Sequence, residues 1–246
     1  MTTYKMIALD LDGTLLNEER KISQRNALAI KKAVEKGVIV CISTGRGMKS
    51  AREHVAELGL KGPFVTANGS EVWETPNKLL VRHTLQHDLV ARLIEVANEH
   101  DVWYWSYTID GLLSKENFDG QIEKIEWLKL GYYDEDAQKL AAARSEIIHI
   151  PDLEISNSHP LNVEINPKGI TKAVGLQQIC EAYQISMSEV IACGDSLNDV
   201  EMIKSAGLGI AMGNAQQAVK EIADAITLTN DEDGVAVVIE KYLLGE

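Results

Sequence analysis

Asp10 and Asp12 stand two residues apart at the end of an apolar run, in the segment Met-Ile-Ala-Leu-Asp-Leu-Asp-Gly-Thr-Leu-Leu at residues 6–16. In extended backbone, residues at this spacing point to the same side, about 6 to 7 Å apart, so one small group could touch both carboxylates. Acids at the end of a buried strand are unfavourable without a partner, and a metal-bound phosphate would be one. Similar polar residues follow other apolar runs: Thr44, Gly45 and Arg46 after residues 38–42, and Asp195, Asn198 and Asp199 after residues 190–193. Lys172 stands at the start of a helical segment. Taken singly, an acid at a strand end reads equally well as a helix cap. Four acids at two strand ends would repel one another and raise each other's pKa unless a cation lay among them. Oxygen donors without a His or Cys cluster favour Mg²⁺.

The elements that must position these groups alternate. Residues 6–9, 38–42 and 63–66 are short apolar strand runs, each ending in small polar residues, and helical spacing (Ala27, Ile30, Val34) follows the first. Such alternation implies parallel strands with right-handed crossovers and a crevice beyond their carboxyl ends. From residue 84 the pattern changes to a helix at 87–100, strands at 102–108 and 111–115, a second helical stretch over 119–144 interrupted near Gly131, and strands at 147–150 and 161–165. Alternation then resumes with strands at 190–193, 208–212 and 226–229. The expected fold is therefore α/β, a doubly wound, Rossmann-like parallel-sheet core from residues 1–83 and 162–246, with a small α+β cap domain inserted at 84–161. Trp103, Trp105 and Tyr107 share one strand face, read as packing on the insert's helices in preference to touching a ligand. Residues 18–21, Arg20 among them, read as a solvated loop.

Composition narrows the class of partner. With 24 basic and 37 acidic residues the formal charge is -13, which argues against a nucleic-acid partner but allows a small phosphorylated substrate held by a cation and local basic groups. Cys41, Cys180 and Cys193 are far apart and lie in apolar surroundings, as reduced, packed thiols do. No apolar run approaches the length of a membrane span. The expectation is a cytoplasmic protein without a membrane or nucleic-acid partner, a monomer or weak homodimer.

The segments Asp10-Leu11-Asp12-Gly13-Thr14, the hydroxyl of Thr44, Lys172, and Gly194-Asp195-Ser196-Leu197-Asn198-Asp199 together resemble the four motifs of haloacid dehalogenase (HAD) superfamily phosphatases. Thr44-Gly45-Arg46, Asn68-Gly69 and residues 209–215 resemble the Cof-type branch, which carries an α/β cap after the third core strand. The likeness covers almost the whole chain and is least distinctive in the insert. It implies that Asp10 is the nucleophile of an aspartyl-phosphate and Asp12 the general acid and base. It further implies Mg²⁺ held by the Asp10 carboxylate, the Asp12 main-chain carbonyl, Asp195 and Asp199. Thr44 and Lys172 would hold phosphoryl oxygens, amides near Gly13 would add donors, and Asn198 would orient Asp195 or Lys172.

Several assignments stay open at this level. Ser43 competes with Thr44, and Lys168 with Lys172, although the family's spacing favours the second of each pair. Gly45, Arg46 and Asn68 are candidates for substrate contact or for turn geometry, and Asn214 for a turn. The expected activity is Mg²⁺-dependent hydrolysis of a small phosphorylated metabolite, sugar phosphates included. A phosphomutase of the same superfamily and a receiver-type phospho-accepting module are the rivals. Trp103, Trp105, Tyr107, Asn117 and Tyr132 are the cap side chains considered for the substrate.

Overall fold

The computed structural model describes residues 4–246. In chain order, a first sheet takes β1 (Met6–Leu9), β2 (Ile39–Ser43), β3 (Phe64–Thr66), β4 (Glu71–Thr75) and β5 (Lys78–Arg82). A second takes β6 (Trp103–Thr108), β7 (Gly111–Ser114), β8 (Trp127–Tyr133), β9 (Leu153–Ser156) and β10 (Asn162–Pro167), and the chain then returns to the first for β11 (Val190–Gly194), β12 (Leu208–Ala211) and β13 (Ala225–Ile226). Helices α1 (Gln24–Glu35) and α2 (Met48–Ala56) precede the second sheet, α3 (His87–Glu99) and α4 (Ala137–Ile147) belong with it, and α5 (Lys172–Tyr183), α6 (Val200–Ser205), α7 (Gln217–Ile222) and α8 (Gly234–Ile239) follow it.

The first sheet runs β13-β12-β11-β1-β2-β3-β4-β5. Its first six strands in that order are parallel, and β4 and β5 add an antiparallel edge that the sequence reading did not resolve. Ile7 and Leu9 pack with Ala29, Ile30 and Ala33 of α1 and Val235 of α8 on one face. Met6 and Ala8 pack with Leu176 and Ile179 of α5 and Met202 of α6 on the other. Burial on both faces is why these strands read as unbroken apolar runs. Each large aliphatic side chain so buried contributes about 1.5 to 3 kcal/mol. The doubly wound α/β core expected from the sequence is the observed one.

The second sheet is antiparallel, in the order β7-β6-β8-β10-β9. One face is covered by α3 and α4, through Tyr104, Leu130, Tyr132, Val163 and Ile165 packed with Leu93, Ala97, Leu140 and Ala143. Three expectations change here. The helical stretch over 119–144 is instead β8, the sheet's middle strand, followed by the short helix α4 capped by Asp136, whose side chain accepts from the Gln138 and Lys139 amides. Leu128, Leu130 and Tyr132 alternate with Lys129 and Gly131, a period of two that the longer helical pattern masked. The strand expected at 147–150 is the end of α4 and its turn, and the strand lies at Leu153–Ser156. Finally, the strand read with the insert at 161–165 is β10, which pairs with β8 and β9, so the boundary drawn at 161/162 falls ahead of a strand of the second sheet. An apolar strand carries the same local pattern whichever sheet accepts it. No helix among the described residues is long and apolar enough to cross a membrane.

Candidate active site

Asp10 lies one residue beyond β1, Thr44 one beyond β2, and Asp195 one beyond β11. Lys172 opens α5, whose N-cap Thr171 accepts the Val174 amide through its side chain. From there the fully buried Lys172 Nζ donates to Asp10 Oδ1 at 2.6 Å and to Asp199 Oδ1 at 2.7 Å. Asp199 Oδ2 accepts the main-chain amides of Asp195 and Ser196, each at 3.1 Å. Asp195 accepts the Thr14 hydroxyl at 3.3 Å and the Ser196 hydroxyl at 2.9 Å. Carboxylate oxygens of Asp10, Asp195 and Asp199 all lie within 4.8 Å of one another. Two glycines permit this crowding: a Cβ on Gly13, whose φ is +76°, would stand 2.6 Å from Asp195 Oδ2, and one on Gly194 would stand 2.4 Å from Asp199.

Two buried carboxylates, Asp10 and Asp199, share one ammonium beside the partly buried Asp195, and the acidities reflect the crowding. Burial pushes Asp10 well above the ordinary carboxylate range, with further rises from Asp199, Asp195 and Asp12, against the pull of Lys172. Burial and then Asp199 push Asp195 up to about 7. The excess of negative charge and the all-oxygen donor set suit a hard divalent cation.

The Asp12 carboxylate stands apart from this cluster. It takes a two-pronged ion pair from Arg46, Nε to Oδ2 at 2.7 Å and Nη2 to Oδ1 at 2.6 Å. Burial alone would raise it, but the hydrogen bonds and charge of Arg46 outweigh that and lower its pKa. The two acids of the opening motif therefore do not converge on one group; Asp12 could join a metal site only through its main-chain carbonyl.

The remaining candidates separate. The Thr44 hydroxyl accepts the Arg46 amide at 3.2 Å, which leaves its own proton free, while Ser43 Oγ is buried within β2 without a partner. Lys168 is exposed in the turn after β10 and touches none of the acids, unlike Lys172. Asn198 does not orient Asp195 or Lys172: its Nδ2 donates to Asn68 Oδ1 at 3.2 Å and Glu164 Oε2 at 3.3 Å. Asn68 in turn donates to Glu164 Oε2 at 2.7 Å and Asn166 Oδ1 at 3.2 Å, so both asparagines join the two sheets. Asn214 donates to the Gly13 carbonyl at 2.7 Å and supports the loop after Asp12.

Across a cavity of about 370 Å³ from Asp10, Asp12, Arg46 and Asp195 stands the uncovered face of the second sheet, with Trp105, Tyr107, Lys129 and Glu164. The aromatic face was expected to pack on the helices; strand pleating sends Tyr104 there instead and turns Trp105 and Tyr107 to the cavity. Tyr132 is buried with its hydroxyl donating to the Leu93 carbonyl, and the Asn117 side chain accepts the Ser114 amide in a turn, so neither faces the cavity. Trp103 donates to Glu116 at the sheet's outer end. Arg20, read as loop, lines the same cavity. Lys129 and Glu164, an ion pair at 2.7 Å with both side chains buried, were missed; a charge of either sign inside an apolar strand was the available signal. A larger cavity of about 550 Å³ lies between α2 and the β6–β7 hairpin, but holds none of the carboxylates of the cluster.

The description of haloacid dehalogenase-like hydrolases matches the chain over residues 7–139 and 114–239. The chain is 45% identical over 240 residues to a Bacillus subtilis protein named 5-amino-6-(5-phospho-D-ribitylamino)uracil phosphatase YcsE, covering 98% of this chain and 96% of that one. It is 33% identical to a second B. subtilis protein of the same named activity, YitU, over 96% of this chain and 97% of the other. Among solved structures, a haloacid dehalogenase-like hydrolase from B. subtilis superposes with a TM-score of 0.88 at 27% identity, covering 96% of this chain and 99% of that one.

Proposed function

The chain belongs to the haloacid dehalogenase-like hydrolases and is a phosphatase of that superfamily, and we propose that it hydrolyses a small phosphomonoester with Mg²⁺ through an aspartyl-phosphate on Asp10. The observation that carries this reading is the buried Lys172, bonded to Asp10 Oδ1 and Asp199 at the rim of the three-acid cluster. In this reading Lys172 occupies Oδ1 and screens the negative charge, so Oδ2 attacks phosphorus as the bond to the leaving alcohol breaks. Asp12 gives the alcohol its proton, then takes one from the water that cleaves the acyl phosphate. Its pairing with Arg46 keeps it deprotonated, so Arg46 must turn to the incoming phosphate and Asp12 must take up a proton from solvent before it can act as an acid. The Thr44 hydroxyl and the amides near Gly13 bind phosphoryl oxygens.

Mg²⁺ would be held by the carboxylates of Asp10, Asp195 and Asp199 and the Asp12 main-chain carbonyl. When bound, it supplies charge that offsets repulsion between the attacking carboxylate and the phosphoryl oxygens. The second sheet, with α3 and α4, acts as the cap, enclosing the leaving group and limiting water. The first candidate substrate is the ribitylaminouracil phosphate for which YcsE is named, with sugar phosphates beside it. Three buried free cysteines support a reducing, cytoplasmic setting, and a monomer or weak homodimer suffices because one chain supplies every group named.

The test is phosphate release from a panel of phosphorylated metabolites, with and without Mg²⁺, using Asp10→Asn as control. Release that needs Mg²⁺ and disappears in the variant supports the reading. Isomerisation without release, or a variant as fast as wild type, overturns it.

A further inference from the structure

Lys129 is not explained by the chemistry at Asp10. Its ammonium is buried and has one carboxylate contact, Glu164 Oε1 at 2.7 Å, so at most one of its three protons meets an acceptor. Burial lowers its pKa despite Glu164. A lone buried ion pair of this kind contributes little stability over an apolar pair of the same volume, and a buried donor without an acceptor calls for an explanation. Asn198 Oδ1, on another residue lining the cavity, is a second buried polar atom without a partner.

The surroundings show what would satisfy them. Lys129 Nζ lies 4.8 Å from the centre of the Trp105 ring and 5.8 Å from that of Tyr107. Those rings meet edge to face with centres 5.5 Å apart. Both are seated on glycine: a Cβ on Gly131 would stand 2.5 Å from the Trp105 indole, and one on Gly47 would stand 2.9 Å from Tyr107. The Lys129 ammonium also reaches the core, 3.0 Å from where a Cβ on Gly45 would stand, next to Thr44. A leaving group running from Asp10 into the cavity therefore meets an aromatic wall with the spare N–H donors of Lys129 just behind it. On this face of the second sheet acceptors are scarcer, because Glu164 already receives Ser158 on Oε1 and Asn68 and Asn198 on Oε2. Polyol hydroxyls need donors and acceptors in similar number, whereas the carbonyl and ring-nitrogen edge of a flat heterocycle mainly needs donors.

We propose that Lys129 and Trp105, beside Tyr107, form a leaving-group subsite that selects phosphomonoesters carrying a flat, hydrogen-bond-accepting heterocycle. Catalytic use of the subsite rests on the phosphatase reading; binding of the ring does not. Lys129 donates to a ring carbonyl or nitrogen, the aromatic pair packs on the ring, and Asn198 Oδ1 takes one ring N–H.

The test compares ribitylaminouracil phosphate with D-ribitol 5-phosphate, which has the chain and phosphate without the ring. Wild type, Trp105→Leu and the double variant Lys129→Met/Glu164→Gln, which leaves no unpaired buried charge, are assayed with Mg²⁺. The expected result is a wild-type preference for the ring compound that falls about 10- to 100-fold in each variant, chiefly through KM, the range for loss of a ring-stacking platform. Separately, the dephosphorylated ring compound is titrated against Asp10→Asn and followed by tryptophan fluorescence. Saturable quenching is expected, and its loss when either subsite change is added. No wild-type preference for the ring compound, an equal fall on both substrates, or no quenching overturns the subsite. Quenching without phosphate release from any substrate overturns the phosphatase reading alone and upholds the subsite. Should the double variant fail to fold, Trp105→Leu carries the same comparison.

Discussion

The carboxyl end of the first sheet and the open face of the second border one cavity, but they are built differently. On the first, each functional group sits within three residues of a strand end or at a helix start, and part of what holds the acids is local: Asp199 accepts the amides of Asp195 and Ser196, and Asp195 the Ser196 hydroxyl. On the second, the groups come from the middles of three strands. Trp105 stands opposite Gly131, Tyr107 opposite Lys129, and Gly131 opposite Glu164 only because β6, β8 and β10 pair in one register. A local motif can be recognised one segment at a time, whereas a sheet face exists only after pairing. The difference suggests that the first surface carries chemistry common to many substrates and the second the choice among them.

Substitutions that separate the two surfaces should differ in size and kind. Asp10→Asn should lower kcat on every substrate by at least about 10⁴-fold, read as phosphate release; a loss restricted to one substrate would break the division. Lys172→Met leaves Asp10 and Asp199 buried without their ammonium. It should lower kcat about 10²- to 10³-fold and destabilise the fold by about 3 to 5 kcal/mol, measured by urea unfolding. Gly131→Ala pushes a Cβ into the Trp105 ring. It should lower kcat/KM for ribitylaminouracil phosphate about 3- to 10-fold with a smaller change for D-ribitol 5-phosphate.

The smallest effect concerns pH. Burial pushes Glu164 up, but the charge and hydrogen bond of Lys129, followed by hydrogen bonds from Asn68 and Ser158, outweigh it and hold the folded pKa below the ordinary 4.5. A lowered folded pKa stabilises the protein above the unfolded pKa, and that contribution is lost as pH falls through the folded value. Between about pH 6 and about pH 3, wild type should therefore lose more stability than Glu164→Gln, by on the order of 1 kcal/mol per unit of lowering. Equal losses in the two would show that the joint between the sheets does not rest on this charge.

Most of the first sheet was legible because parallel strands buried on both faces leave continuous apolar runs, and because Asp10, Lys172 and Asp195 adjoin element ends. The β4–β5 edge was not, since Pro76 and Asn77 divide two short, half-exposed strands that lack a clear period. In the insert, β8 reads as helix in sequence because Lys129 and Gly131 interrupt an apolar stretch in a way that fits either period over so few residues. The role given to Asn198 failed for another reason. Its neighbours in the chain are the acids, but its side chain turns to Asn68 and Glu164, residues distant in sequence.

By itself the sequence determined the family, the doubly wound core and the residues of the acid cluster, because strand endings and helix starts are local and their chemistry is written in consecutive residues. Tertiary structure alone decided that Asp12 pairs with Arg46 instead of joining that cluster, that β8 is the middle strand of the second sheet, and that Trp105, Tyr107, Lys129 and Glu164 share the cavity. Those outcomes depend on which strands pair and in what register, and that is settled by the burial of whole faces rather than by any one segment.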